Sequence, residues 1–173
     1  MKPARRVPAQ FKSFVKRIID LGAVGAKVIK ASSVVTASWV RLKCQYGCDG
    51  YGSSLCCPPN TPTPEETREV IEGYETAILA HFGARGHITK SMVALEREAF
   101  LEGYYRAFAF GAGPCTLCNS CPDNGCKHPD RARPSMEACG IDVFATARNN
   151  SYSIQVVRDE SSEQNYYGLL LIK

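Results

Sequence analysis

Thr61–Phe82, TPTPEETREVIEGYETAILAHF, sets one helix directly before one strand. Thr63 reads as an N-cap, Pro64 as the first helical residue and Glu66 as the third. That spacing forms a capping box, in which the threonine hydroxyl and the glutamate each satisfy a backbone N–H that the first helical turn leaves free. The helix should run to Gly73. Tyr74–Phe82 then follows as a short apolar run compatible with a central strand. A capped helix feeding such a strand predicts an α+β fold: a small antiparallel or mixed sheet with packed helices and cysteine-rich metal-binding loops.

Toward the N-terminus lies Lys43–Pro59, KCQYGCDGYGSSLCCPP, whose three glycines and Pro-Pro pair exclude regular structure and let the backbone wrap closely. Ahead of it, Val34, Val35, Thr36, Trp39 and Val40 give Ser33–Leu42 the composition of a strand running into Cys44. Further back, Phe11, Phe14, Val15, Ile18 and Ile19 recur at helical spacing, which predicts an amphipathic helix from Pro8 to about Leu21, closed by Gly22.

Toward the C-terminus, a Gly-rich turn at Gly83–Gly86 precedes a helix expected from Ser91 to about Phe108, with Met92, Leu95, Ala99, Tyr104 and Phe108 on its apolar face. Glu96, Glu98 and Glu102 read as surface charges of that helix, the alternative being a catalytic or metal-binding set. Gly111 and Gly113 end it. Ser135 can cap a short turn, Met136–Cys139, which Gly140 stops. Tyr152–Val157 and Tyr166–Ile172, joined by the polar stretch Arg158–Asn165, read as a hairpin. The expected sheet therefore comprises Ser33–Leu42, Tyr74–Phe82, Tyr152–Val157 and Tyr166–Ile172, with the cysteine loops meeting at one end.

At 173 residues the chain is long enough to bury a core without help from a metal. Residues 1–32 read as a basic amphipathic helix and linker, and residues 33–173 as a single cysteine-rich metal-binding domain. The net charge of +4 is too small to argue for nucleic acid. Charge is nevertheless uneven: Lys2, Arg5, Arg6, Lys12, Lys16, Arg17, Lys27 and Lys30 face only Asp20 in the first thirty residues. This suits a solvated helix face, an arm for an acidic partner, or an organellar transit peptide. No secretory signal pattern and no long apolar run occur, so the nine cysteines are expected to be reduced thiols of a cytoplasmic protein with no membrane segment.

Cys115, Cys118, Cys121 and Cys126 form a C-x2-C-x2-C-x4-C run, with Cys139 thirteen residues on. Structural zinc generally uses two C-x2-C knuckles a dozen or more residues apart, whereas three thiolates at this spacing with a fourth nearby suit the corners of a cubane iron–sulfur cluster. The run departs from the bacterial ferredoxin pattern, since four residues precede the fourth cysteine and the proline comes later, at Pro129. Cys126 need not share a centre with the other three. Lys127, His128, Arg131 and Arg133 would balance a centre with excess negative charge; His128 is a ligand, a donor behind the ligands, or a surface residue.

The first group offers Cys44, Cys48, Cys56 and Cys57. Side chains of adjacent cysteines diverge, so one of Cys56 and Cys57 is expected to be spare. Cys139 is then the candidate to complete Cys44, Cys48 and Cys57, the alternative being a buried thiol acting as a small apolar group.

RLKCQYGCDGYGSSLCCPPNTPTPEET, LEREAFLEGYYRAFAFGAGPCTLCNSC and CKHPDRARPSMEACGIDVFATA resemble the family of predicted metal-binding proteins known as domain of unknown function 2284. The similarity covers roughly Val34 to Lys173. It implies metal binding by Cys57 of the Cys57-Pro58-Pro59 motif and by Cys115, Cys118, Cys121 and Cys126, with Arg133-Pro134-Ser135, Glu137 and Cys139 matching the tail; Cys56 is the departure. No G-x-G-x-x-G after a strand, G-x-x-x-x-G-K-[ST], G-x-S-x-G or H-E-x-x-H motif competes. The leading expectation is an iron–sulfur protein, with one or two clusters of the 4Fe-4S type, that carries electrons to or activates a partner redox protein. A zinc-stabilised interaction module and a cluster-dependent reductase are the alternatives.

Overall fold

A computed structural model describes residues 9–83 and 86–173. The basic residues Lys2, Arg5 and Arg6, the helix start at Pro8 and the middle of the Gly83–Gly86 turn lie outside them.

The chain is an α+β protein built on a four-stranded antiparallel sheet of order β1-β2-β4-β3. The strands are β1 (Gly25–Lys30), β2 (Thr76–Phe82), β3 (Phe108–Phe110) and β4 (Tyr166–Leu171). Five helices are described: α1 (Lys12–Asp20), α2 (Ser38–Gly47), α3 (Pro64–Glu72), α4 (Ile88–Leu101) and α5 (Val143–Asn149). None is long and apolar enough to cross a membrane.

β2 is central, as its unbroken apolar run requires, and its residues alternate between two cores. On one face Ile78, Ala80 and Phe82 pack with Phe11, Phe14 and Ile18 around α1 and with Met92, Leu95 and Ala99 of α4. On the other, Ala77 and Leu79 pack with Ile71 of α3, Met136, Cys139 and Ile141, and Ala147 of α5. The sheet is thus covered on both sides, and Cys139 belongs to the second core.

The capping box of α3 forms as its sequence dictates. The Thr63 hydroxyl accepts the Glu66 N–H at 3.2 Å, and the Glu66 carboxylate accepts the Thr63 N–H at 2.7 Å. Replacing Thr63 with alanine removes one of the two bonds and should lower stability by about 1 kcal/mol, read as a shift in the urea midpoint at unchanged slope.

Three expectations are corrected. Ser33–Leu42 is not a strand: Thr36 makes a single bridge to Ile141, and the chain turns into α2 at Ser38. Helical winding lets Val40 pack inward while Arg41 reaches Thr61 and Ala138, tertiary contacts that override β propensity. The edge strand is instead Gly25–Lys30, which pairs with β2.

The helix expected to reach Phe108 stops at Leu101; Gly103 turns the chain at φ +97°, and Phe108–Phe110 becomes β3. Tyr152–Val157 forms no hairpin with β4, because both edges of β4 are already taken by β2 and β3. Only Ile154 of that stretch is buried, while Val156 and Val157 are exposed. The preceding segment holds α5, whose Asp142 N-cap accepts the Ala145 N–H at 2.9 Å.

Candidate metal centre

The first cysteine loop leaves the end of α2. Cys44 lies in the last turn and Cys48 at the C-cap. Turns follow at once: Ser53 N–H donates to Gly50 O, Gly52 N–H to Pro58 O at 2.7 Å, and Cys57 N–H to Ser54 O. Gly52 adopts φ +74°, a conformation that a side chain disfavours. This coiling buries Cys57 and leaves Cys56 half-buried.

The two adjacent cysteines face different neighbours. Burial, then the charge of Cys48, raises the Cys44 thiol above its ordinary range; Glu137 and Cys57 add to the rise and Arg41 opposes it. Cys44, Cys48 and Cys57 therefore form one neighbourhood. Burial pushes the Cys56 thiol up to about 12, helped first by Cys115, then by the charges of Cys126 and Cys57. Cys56 thus stands with the second group.

That second group lies on the loop from Gly113 to Pro134, entered through Gly113 at φ +75° and turned again by Gly125 at φ +107°. Cys121 Sγ accepts the Leu55 N–H at 3.4 Å, which ties the two loops together one residue before Cys56. Cys126 Sγ accepts the His128 N–H at 3.3 Å. The His128 ring is engaged elsewhere, its Nδ1 lying 2.7 Å from Arg131 Nη2. Cys115 and Cys118 are half-buried on the same loop.

Cys139 is fully buried in the second core. Burial pushes its thiol up to about 12, and the charges that act on it are Arg41, which lowers it, and Cys56, which raises it. Arg41 is the bracket here. Its guanidinium donates to Thr61 Oγ1 at 2.8 Å, to Ala138 O at 2.9 Å and to Thr61 O at 3.3 Å, joining α2 to the chain on both sides of the site.

A second bracket holds the exit of the cysteine run. Arg133 Nε and Nη2 donate to the two oxygens of Glu96 at 2.8 and 2.5 Å, and Glu96 also accepts the Ala109 N–H at 2.7 Å. Both side chains are about six-sevenths covered, at 15% and 13% exposure. Donating these hydrogen bonds to Glu96 raises the Arg133 guanidinium further. Glu96 is therefore neither a plain surface charge nor a metal donor. Glu98 is half-buried and paired with Arg17 at 2.6 Å, and Glu102 is exposed. Nothing in the local sequence signals the Glu96–Arg133 or Arg41–Ala138 contacts, because each joins segments far apart in the chain.

Among the described residues no three His, Cys, Asp or Glu side chains stand close enough together to hold a metal ion as they are. The donor chemistry nevertheless fits a soft metal. Burial first, and neighbouring thiols after it, disfavour the thiolates of Cys44 and Cys56, a cost that a bound cation offsets as it displaces the protons. Backbone N–H groups already directed at Cys121 and Cys126 are the contacts that thiolate-bound centres use to spread charge.

No match to a curated protein or to a solved structure was found. One family model matches residues 27–172, starting within β1 rather than at Val34, where the motif resemblance begins. With that match spanning most of its length, the chain belongs to the family of predicted metal-binding proteins (DUF2284).

Proposed function

We propose that this protein is an iron–sulfur protein that delivers electrons to, or activates, a partner redox enzyme in the reducing environment of the cytoplasm. The observation that carries this reading is the Leu55 N–H donating to Cys121 Sγ, which brings the Cys56 loop against the C-x2-C-x2-C run. Closely spaced thiols from two loops suit a multi-iron centre better than the paired knuckles of structural zinc. Cys115, Cys118, Cys121 and Cys126 would hold the centre, with Cys56 as a fifth thiol beside it. Cys44, Cys48 and Cys57 would form a second site, and Cys139 is the candidate to complete it.

A bound cluster would supply one-electron chemistry. The protein's own part is to hold the loops and moderate charge. Arg41 and the Arg133–Glu96 pair fix the loop ends, while backbone N–H groups donate to sulfur. The absence of a competing catalytic motif favours transfer to a partner over chemistry on a bound substrate.

Protein prepared under strict anaerobiosis should contain iron and acid-labile sulfide in comparable amounts and give an EPR signal that changes on dithionite reduction. Colourless protein with stoichiometric zinc and no sulfide would overturn the iron–sulfur reading.

A further inference from the structure

A cavity of about 390 Å³ opens beside Cys115, between the first turn of α4 and the loop that carries the cysteine run. That volume lies in the range of small-ligand pockets. One part of its wall is cationic. Lys90 and Arg131 line it, and no aspartate or glutamate does so among the described residues. Arg131 is partly engaged, 2.7 Å from His128 Nδ1 and 3.7 Å from Asp130, while Lys90 has no ion-pair partner among the described residues.

Val93, Ala112, Pro114 and Leu117 make another part of the wall apolar, while Thr89, Thr116, His87 and Arg133, the last already paired with Glu96, complete it. Gly111 permits this wall to approach α4, since a Cβ there would fall 2.1 Å from Thr89 Oγ1. A pocket with cations at one side and a short apolar surface at the other is complementary to an amphiphile of opposite charge.

We propose that this cavity binds a small organic anion, a carboxylate or phosphate group on an apolar body, with the anionic group at Lys90 and Arg131 and the body along Val93 and Leu117 toward Cys115. Resting on the reading above, the ligand would lie against the proposed centre and act as its effector. Binding does not require a metal on Cys115, so anion affinity and metal content are separate readouts.

The test is calorimetric titration of the 173-residue protein, with iron, zinc and sulfide measured on the same preparation. The probes are benzoate and phenyl phosphate, with benzyl alcohol as the uncharged control. One anion should bind with one-to-one stoichiometry; Lys90→Gln should weaken it by about tenfold or more without changing metal content, and Arg131→Gln should weaken it by a similar factor. Lys16→Gln, on the exposed face of α1, should leave the affinity unchanged. Failure of both anions to bind, equal binding of benzyl alcohol, or equal weakening by Lys16→Gln would each overturn the proposal. A preparation that binds the anion yet holds zinc alone would sink the iron–sulfur reading and leave the anion site standing.

Discussion

Cys56→Ser protein, purified anaerobically beside the wild type, should retain clearly less metal than the wild type. By sequence one of the adjacent Cys56 and Cys57 is expected to be spare, and a spare thiol would tolerate the change. The structure instead sets Cys56 next to Leu55, whose N–H donates to Cys121 Sγ, and within the field of Cys115 and Cys126. Serine keeps the hydroxyl donor but binds soft metals poorly, so the loss should be ~10-fold or more in metal affinity, at least what altering a residue behind the ligands costs. Cys57→Ser is the informative partner. Because Cys57 faces Cys44, it should deplete a different fraction of the metal, leaving the signal of the Cys115 group in place. Full iron retention in Cys56→Ser would detach that residue from the centre.

Glu96→Ala should destabilise the protein by about 3 kcal/mol, the lower end of what breaking a buried ion pair costs, since it strands the Arg133 guanidinium and the Ala109 N–H together. Glu96→Gln keeps one acceptor for each and should cost roughly half as much. A cycle with Arg133→Ala, followed by urea unfolding, should give a coupling of at least ~1.5 kcal/mol, and simple additivity would show that the pair contributes nothing of its own. The same substitutions should loosen the cysteine run, because Arg133 also donates to Pro129 O and Ala132 O at its exit. Faster iron loss to a chelator in Glu96→Ala would register that effect separately from global stability.

How much of this was legible in the sequence depends on how local each signal is. The α3 helix and β2 strand were readable because cap, period and length all fall within Thr61–Phe82, and the structure bears them out. The turn from Met136 to Gly140 was readable for the same reason. The Ser33–Leu42 region was not, because its β-rich composition is outweighed by the contacts that Arg41 makes with distant carbonyls. β1 was hidden since Lys27 and Lys30 interrupt its apolar residues, while its pairing with β2 decides its conformation. The C-terminal hairpin failed because no local rule says that β4 will have both edges occupied. At the site, the candidate thiols could be named from spacing alone. Their grouping could not, because Cys56 and Cys57 have identical local chemistry and differ only in what the folded loops bring to them.

The order β1-β2-β4-β3 has a consequence for how the protein is made. The strand between β2 and β3 is the last of the four to leave the ribosome, whereas all nine cysteines precede it. Until β4 inserts, β2 and β3 have no common partner, and the core that encloses Cys139 lacks Leu169 and Leu171. During vectorial synthesis the thiols therefore emerge into the cell ahead of the fold that shelters them. Metal delivery to the nascent chain competes in that interval with oxidation of the thiols. Oxygen tension during expression, as well as the sequence of the loops, should set how much of the purified protein carries metal.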